Sequence, residues 1–193
     1  MNVAVFAYGS LVSPASAAAT LGRSGVEAVP AALAGRRRSF TLLRDNRACE
    51  KTFARRGDDW IPDHVLALNI AEGGTADSVN GALLAVSEAE VERLDLREIR
   101  YRRIEVSALV APAAAARFDR IFAYIARPEH HAAIPPPDAV VLAAYEAAVE
   151  EAFAKLGERE LERYRASTDR GNAARIDAYL LSGEIPVGNP RRW

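Results

Sequence analysis

The sequence has little of what metal centres, disulfide scaffolds and membrane spans are built from. One cysteine, Cys49, stands among 193 residues, which excludes an internal disulfide and a cysteine-based zinc site. Three histidines, His64, His130 and His131, are too few for most histidine-rich metal sites. Lysine occurs twice, at Lys51 and Lys155, and arginine supplies the other positive charges. The net charge is -1, so the overall basic excess expected of a nucleic-acid binder is missing. No run reaches the roughly 18 consecutive apolar residues that a membrane span needs. Residues 1–8 lack the basic start and cleavage layout of a signal peptide, so the expected compartment is the cytoplasm. Nothing in the sequence speaks to oligomeric state.

What is present is ordinary for a globular chain: 50% hydrophobic and 26% charged residues. At about 150 residues per domain, the length predicts a single domain over 1–193. Apolar alternation predicts strands at 2–8, 26–33, 39–44, 67–72, 79–87, 101–110 and 120–126. Ser13-Pro14 and Gly22 bracket a short helix, and Ser87 with Glu90 forms a capping box for a second one. After Pro135-Pro136-Pro137 the apolar period becomes helical. Helices are expected at 138–157, 158–168 and 172–183, followed by an extended tail at 184–193. The expectation is a β-rich core over 1–130 with a helical extension, 138–183, packed on it. No internal repeat or low-complexity linker interrupts the chain.

Two features stand apart from this scaffold. The first strand ends in Tyr8-Gly9-Ser10-Leu11, where Gly9 and Ser10 suit a turn. Further on, a capped helix leads into "LDLREIRYRRIEV" (94–106), which places the carboxylate of Glu98 between a helix and a strand. Together they carry a resemblance to the γ-glutamylcyclotransferase-like family, including its ChaC-like and avirulence-induced branches. That family opens with a strand and YGSL or YGSN. It continues with a glycine-bearing strand and the spaced pattern matched here by Leu94, Asp95, Glu98, Tyr101, Arg103 and Val106. Gly81 matches the strand glycine, and "IFAYIA" (121–126) with Pro128 is similar to a later strand. The resemblance covers roughly residues 3 to 128. Many members carry glycine directly after the glutamate. This chain has Ile99 there, preceded by Arg97-Glu98 as in some ChaC-like members.

The resemblance implies an α+β fold, a small mixed β-barrel or curled sheet flanked by helices. It also implies a reaction on a small γ-glutamyl substrate. The substrate's α-amine attacks its own γ-carbonyl, 5-oxoproline forms, and an amino acid or amine leaves. The closure is intramolecular, so the protein needs to fold the substrate rather than supply a nucleophile. A single carboxylate, matched by Glu98, can carry the protons. Carboxylates titrate near about 4.3 in water, and partial burial strengthens such a group as a base. Backbone N–H groups of Gly9, Ser10 and Leu11 are the candidate donors to the oxyanion or the α-carboxylate. Tyr8, Tyr101 and Tyr124 are candidate pocket walls. No metal or organic cofactor is implied, and no nucleic-acid or membrane partner.

Other readings of the same residues are open. Glu98 can be a loop carboxylate paired with Arg97 or Arg100, and Asp95 a brace for its helix. Ser10 lacks the G-x-S-x-G elbow of a nucleophile. "GRRRSF" (35–40) reads as the exposed opening of a strand, or as an attractor of anionic substrate. His130-His131 reads as a surface loop. A ligand-binding or interaction module on the same fold is the alternative function.

Overall fold

The computed structural model describes residues 2–184 and 186–190. In chain order, β1 (Val3–Ala7) is followed by a 3-10 turn at Ser10–Val12 and by α1 (Pro14–Leu21). Four strands and a fifth follow: β2 (Val29–Ala34), β3 (Arg36–Asp45), β4 (Lys51–Arg55), β5 (His64–Glu72) and β6 (Ser78–Val86). Then come α2 (Glu88–Arg97), β7 (Tyr101–Glu105), the single turn α3 (Pro112–Ala115) and β8 (Arg120–Ala126). The last part holds β9 (Val140–Leu142), α4 (Ala143–Leu156), α5 (Glu158–Ala166), β10 (Thr168–Asp169), β11 (Ala174–Ile176) and β12 (Ala178–Gly183).

One five-stranded sheet runs β2-β6-β1-β8-β7, a second runs β10-β3-β5-β9-β11, and β12 pairs with β4. All described residues of β1 are buried, as expected for the middle strand of a sheet covered on both faces. It pairs antiparallel with β6 and parallel with β8. The two large sheets meet face to face where β5 packs on β8 and β3 on β6. They are joined there by Asn69 of β5, whose Oδ1 accepts the Ala126 N–H of β8 at 2.8 Å. The result is an α+β fold whose strands curl into a half-barrel.

Gly81 shows why a glycine stands in β6. A Cβ there would lie 2.2 Å from the Ala7 carbonyl oxygen, so β1 comes to its close approach only because the position is bare. Both helix starts read from the sequence are built as capped ends. Ser13 Oγ accepts the Ser16 N–H at 3.4 Å, and Ser87 and Glu90 bond each other's backbone N–H groups at 3.3 and 2.7 Å.

The C-terminal part differs from the expected run of three helices. Residues 140–142 are not the start of a helix but a strand lying parallel to β5. The helix begins at Ala143, and its N-cap is Leu142 rather than Asp138. Residues 172–183 are not helical. β11 pairs parallel with β9, and β12 pairs antiparallel with β4. Val140 and Ile176 are β-branched and pack with Val65, while Val141 faces the main core, and free strand edges outweigh a weak helical period. The extended tail expected at 184–193 lies partly outside the described residues.

Candidate active site

Glu98 is the residue immediately beyond α2. Its N–H donates to the Leu94 carbonyl at 2.9 Å, closing the helix, and its carbonyl accepts the Tyr101 N–H at 2.8 Å. The chain therefore turns within three residues from helix to strand, and the Glu98 side chain is carried at the corner. It is only 15% exposed. It lines two adjoining cavities, of about 40 and 180 Å3, which share Ser10, Glu98, Tyr101 and Tyr145 as common walls.

The smaller cavity lies against the Tyr8–Leu11 turn, with Tyr124 on its far side. The turn and Glu98 are joined through one guanidinium. Arg97 is buried, its Nε stands 3.0 Å from Glu98 Oε1, and its Nη2 donates to Ser10 Oγ at 3.2 Å and Ser16 Oγ at 3.1 Å. It also donates to the Ser16 carbonyl at 3.2 Å and to Thr20 Oγ1. Arg97 thus ties α2, α1 and the turn into one unit.

The three tyrosines anticipated as walls do line this region, but their hydroxyls are committed within the protein. Tyr8 donates to the Tyr124 carbonyl at 2.6 Å, Tyr101 to the Leu68 carbonyl at 2.7 Å, and Tyr124 to Asp95 Oδ1 at 2.7 Å. They offer rings rather than donors to a ligand. Burial, followed by the nearby Glu98 carboxylate, pushes the Tyr8 phenol well above the usual tyrosine range. Burial and then Asp95 push Tyr124 up as well. Both stay protonated at neutral pH. Asp95, which also takes a 2.8 Å hydrogen bond from Arg103, is a brace between α2 and the strands.

Three contributors escaped the sequence reading. Tyr145 on α4 lines both cavities, and its hydroxyl is 3.5 Å from where a Cβ on Gly9 would sit. Its signal was the i, i+4, i+8 series of Tyr145, Val149 and Phe153 on one helix face. Glu50 and Arg100 form a two-pronged ion pair in the wall of the larger cavity. Burial by itself raises the Glu50 carboxyl, but its bonds with Arg100 outweigh this together with Arg44 and bring it down to about 2.

Arg38 is the third. In the exposed-strand reading it belonged to a solvated cluster, yet it is 0% exposed. It donates to the Tyr8 carbonyl at 3.2 Å, the Asn80 carbonyl at 2.7 Å, Asn80 Oδ1 at 2.9 Å, Ser167 Oγ at 2.9 Å and Thr168 Oγ1 at 2.8 Å. Its guanidinium carbon lies 4.4 Å from the Tyr164 ring centre and 5.1 Å from that of Phe153. Burial draws it down to about 10, which leaves it charged at neutral pH. Arg38 shares its side of β3 with Phe40 and Leu42, and that alternation was the clue. Only Arg37 of the triplet is fully exposed.

His130 ends a 3-10 turn at Pro128–His130 and lines neither cavity. Among the described residues no cluster of three or more His, Cys, Asp or Glu is arranged to hold a metal ion. No described helix is long and apolar enough to cross a membrane.

This architecture is the γ-glutamyl cyclotransferase fold. A solved gamma-glutamyl cyclotransferase superposes with a TM-score of 0.62 at 15% identity, covering 92% of this chain and 94% of that one. A human protein, loc79017, gives 0.61 at 15% identity over 91% and 94%. YkqA from Bacillus subtilis gives 0.53 at 18% identity, and there this chain spans about half of the longer protein, 86% against 53%. At such identities the likeness is one of fold. No protein-family model and no curated protein sequence matches the chain.

Proposed function

We propose that this chain is a γ-glutamyl cyclotransferase that releases 5-oxoproline from a small γ-glutamyl compound, with Glu98 as acid and base. The observation that carries the reading is the placement of Glu98. It is a largely buried carboxylate at the meeting point of two cavities, beside the Tyr8–Leu11 turn, on this fold.

The chemistry needs little else. The substrate folds so that its α-nitrogen approaches its γ-carbonyl carbon, and confinement in the smaller cavity favours that geometry. Glu98 removes a proton from the ammonium, and the freed amine forms the C–N bond. The backbone N–H groups of Gly9, Ser10 and Leu11 are the donors to the oxyanion or the α-carboxylate. As the ring closes, the attacking nitrogen goes from ammonium to lactam N–H and sheds two protons. The departing nitrogen goes from amide N–H to ammonium and gains two. Glu98 carries them one at a time and ends as it began. Arg97 holds the carboxylate toward the turn. Tyr8, Tyr101, Tyr124 and Tyr145 wall the substrate off from water.

The test is release of 5-oxoproline from γ-glutamyl amino acids, glutathione and a γ-glutamylamine, with Glu98→Gln beside the wild type. General acid–base catalysis sets the expected loss at about a hundredfold to ten-thousandfold, with unchanged thermal unfolding. Equal rates from the two folded proteins would remove Glu98 from the mechanism. No release from any substrate by the folded wild type would remove the enzyme reading altogether.

A further inference from the structure

The ladder between β1 and β6 ends at the pair Ala7–Ala82, and the Tyr8 carbonyl lies just beyond it. Arg38 takes that carbonyl, its Nη1 donating at 3.2 Å. No peptide bond among the described residues is cis. In a trans peptide the C=O and the N–H point in opposite directions. Holding the Tyr8 carbonyl on Arg38 therefore fixes the N–H of Gly9 and aims it away from the guanidinium. Gly9 lines the smaller cavity together with Glu98, and Arg38 does not. No described residue accepts a hydrogen bond from the N–H of Gly9, Ser10 or Leu11.

The guanidinium behind this peptide is firmly seated. Its other hydrogen bonds go to Asn80, Tyr164, Ser167 and Thr168. Asn80 is held in turn, its Nδ2 donating to the Glu160 carbonyl and to Glu160 Oε2, both at 2.8 Å. Every oxygen that accepts from Arg38 is neutral, and none belongs to a carboxylate. A buried cation without an ion pair is a costly way to gain stability alone. Its field falls instead on the dipoles around it. A carbonyl that accepts from a cation is polarised, and the polarisation crosses the peptide and makes the attached N–H a stronger donor.

We propose that Arg38 is a positioning residue of the reaction: it turns the Gly9 N–H into the smaller cavity and strengthens it as a donor to the oxyanion that forms on the substrate's γ-carbonyl. The proposal rests on the cyclotransferase reading and deepens it. When the amine nitrogen adds to the γ-carbon, the π pair of the carbonyl moves onto its oxygen. The new charge then faces the guanidinium across the Tyr8–Gly9 peptide, which relays one to the other. Donors act most strongly where charge develops, and the uncharged carbonyl of the bound substrate gains less from them. The contribution of Arg38 therefore belongs to kcat and leaves KM nearly untouched.

The experiment measures kcat and KM for release of 5-oxoproline from the compound of the panel above that the wild type turns over fastest. The proteins are the wild type, Arg38→Met, Arg38→Lys and the double variant Ser167→Ala with Thr168→Val, beside Glu98→Gln. Each is assayed below its unfolding midpoint, and kcat is expressed per folded molecule, with the folded fraction taken from circular dichroism. Weakening one oxyanion donor sets the expected fall in kcat for Arg38→Met at about tenfold to a hundredfold, with KM within about twofold of the wild type. Arg38→Lys keeps a cation behind the carbonyl and recovers part of that loss. The double variant leaves the cation but removes two of the oxygens that hold it, and it loses less kcat than Arg38→Met, again at constant KM. In a merely structural role the loss follows the folded fraction, and kcat per folded molecule stays at the wild-type value. That result for Arg38→Met overturns the proposal. So does a loss carried by KM, which places the Gly9 N–H on a group already charged in the bound substrate. If Arg38→Met does not fold, the double variant decides, and an unchanged kcat there overturns the proposal. If the folded wild type releases no 5-oxoproline, the cyclotransferase reading fails and the proposal falls with it. If the wild type is active, Glu98→Gln is not, and Arg38→Met matches the wild type, the proposal alone fails.

Discussion

Arg38 and Glu98 illustrate two ways in which a single charged residue is placed. Glu98 needs a cavity in front of it and a guanidinium behind it, and the corner after α2 provides both. Arg38 lines neither cavity of the site, yet it holds the carbonyl of Tyr8, one bond away from Gly9. Replacing it with methionine keeps much of the volume and removes every donor. The Asn80 carbonyl, Asn80 Oδ1 and the Tyr8 carbonyl would then lose a buried partner, which costs about 3 kcal/mol or more. Urea unfolding of Arg38→Met is expected to show a midpoint well below wild type. A midpoint within error of wild type would mean that water takes over these bonds. The motif residues were legible because their chemistry sits in local sequence: a turn after a strand, a carboxylate after a capped helix. Arg38 was misjudged because three consecutive arginines look alike as a string. The pleat of β3 separates them, turning Arg38 inward with Phe40 and Arg37 outward.

At the scale of the element, β1 and β6 set the position of the turn. Their contact at Gly81 leaves no room for a methyl group, since a Cβ would also fall 2.8 Å from the Phe6 ring. Gly81→Ala forces β1 and β6 apart just where β1 runs into Tyr8. Overpacking of this kind costs about 1–3 kcal/mol, and thermal denaturation is expected to show a lower midpoint for the alanine variant. An unchanged midpoint would show that the strands separate without penalty. Apolar runs such as β6 and the later part of β5 were readable from sequence, and so were helices with side-chain caps. The short strands β9, β11 and β12 were not. The three residues of β9 and of β11 are too few to display a period of two, and all three strands, the six-residue β12 included, exist because β5, β9 and β4 offer edges to them. Such partners are distant in sequence, so no local window contains the reason.

Across the whole molecule, the two-pronged contact of Glu50 with Arg100 joins the segment leading into β4 to the corner after α2. In the folded protein Glu50 titrates at about 2, below the ordinary value of 4.5. A depressed folded value means that the unfolded chain binds the proton more readily. The stabilisation is complete above about pH 4.5 and is lost as the pH falls toward 2. Chemical unfolding across that window is expected to show the wild type losing its advantage over Glu50→Gln as acid is added. A constant difference between the two would mean that the pair contributes nothing through titration. The charged wall of the larger cavity belongs to this scale too. Its residues are scattered from Arg44 to Arg100, so the sequence held them without revealing that they face one space.

The order in which a ribosome makes this chain gives Arg38 a further meaning. The Tyr8–Leu11 turn and Glu98 are both synthesised before α4. Tyr145, which walls both cavities, and Ser167 and Thr168, which grip Arg38, emerge only after them. A nascent chain, or one clipped after α4, holds the Glu98 carboxylate but lacks the anchors behind the turn. Completion of the two cavities therefore waits for residues 143–168, and a cut made far from Glu98 would unsettle the walls that Glu98 faces.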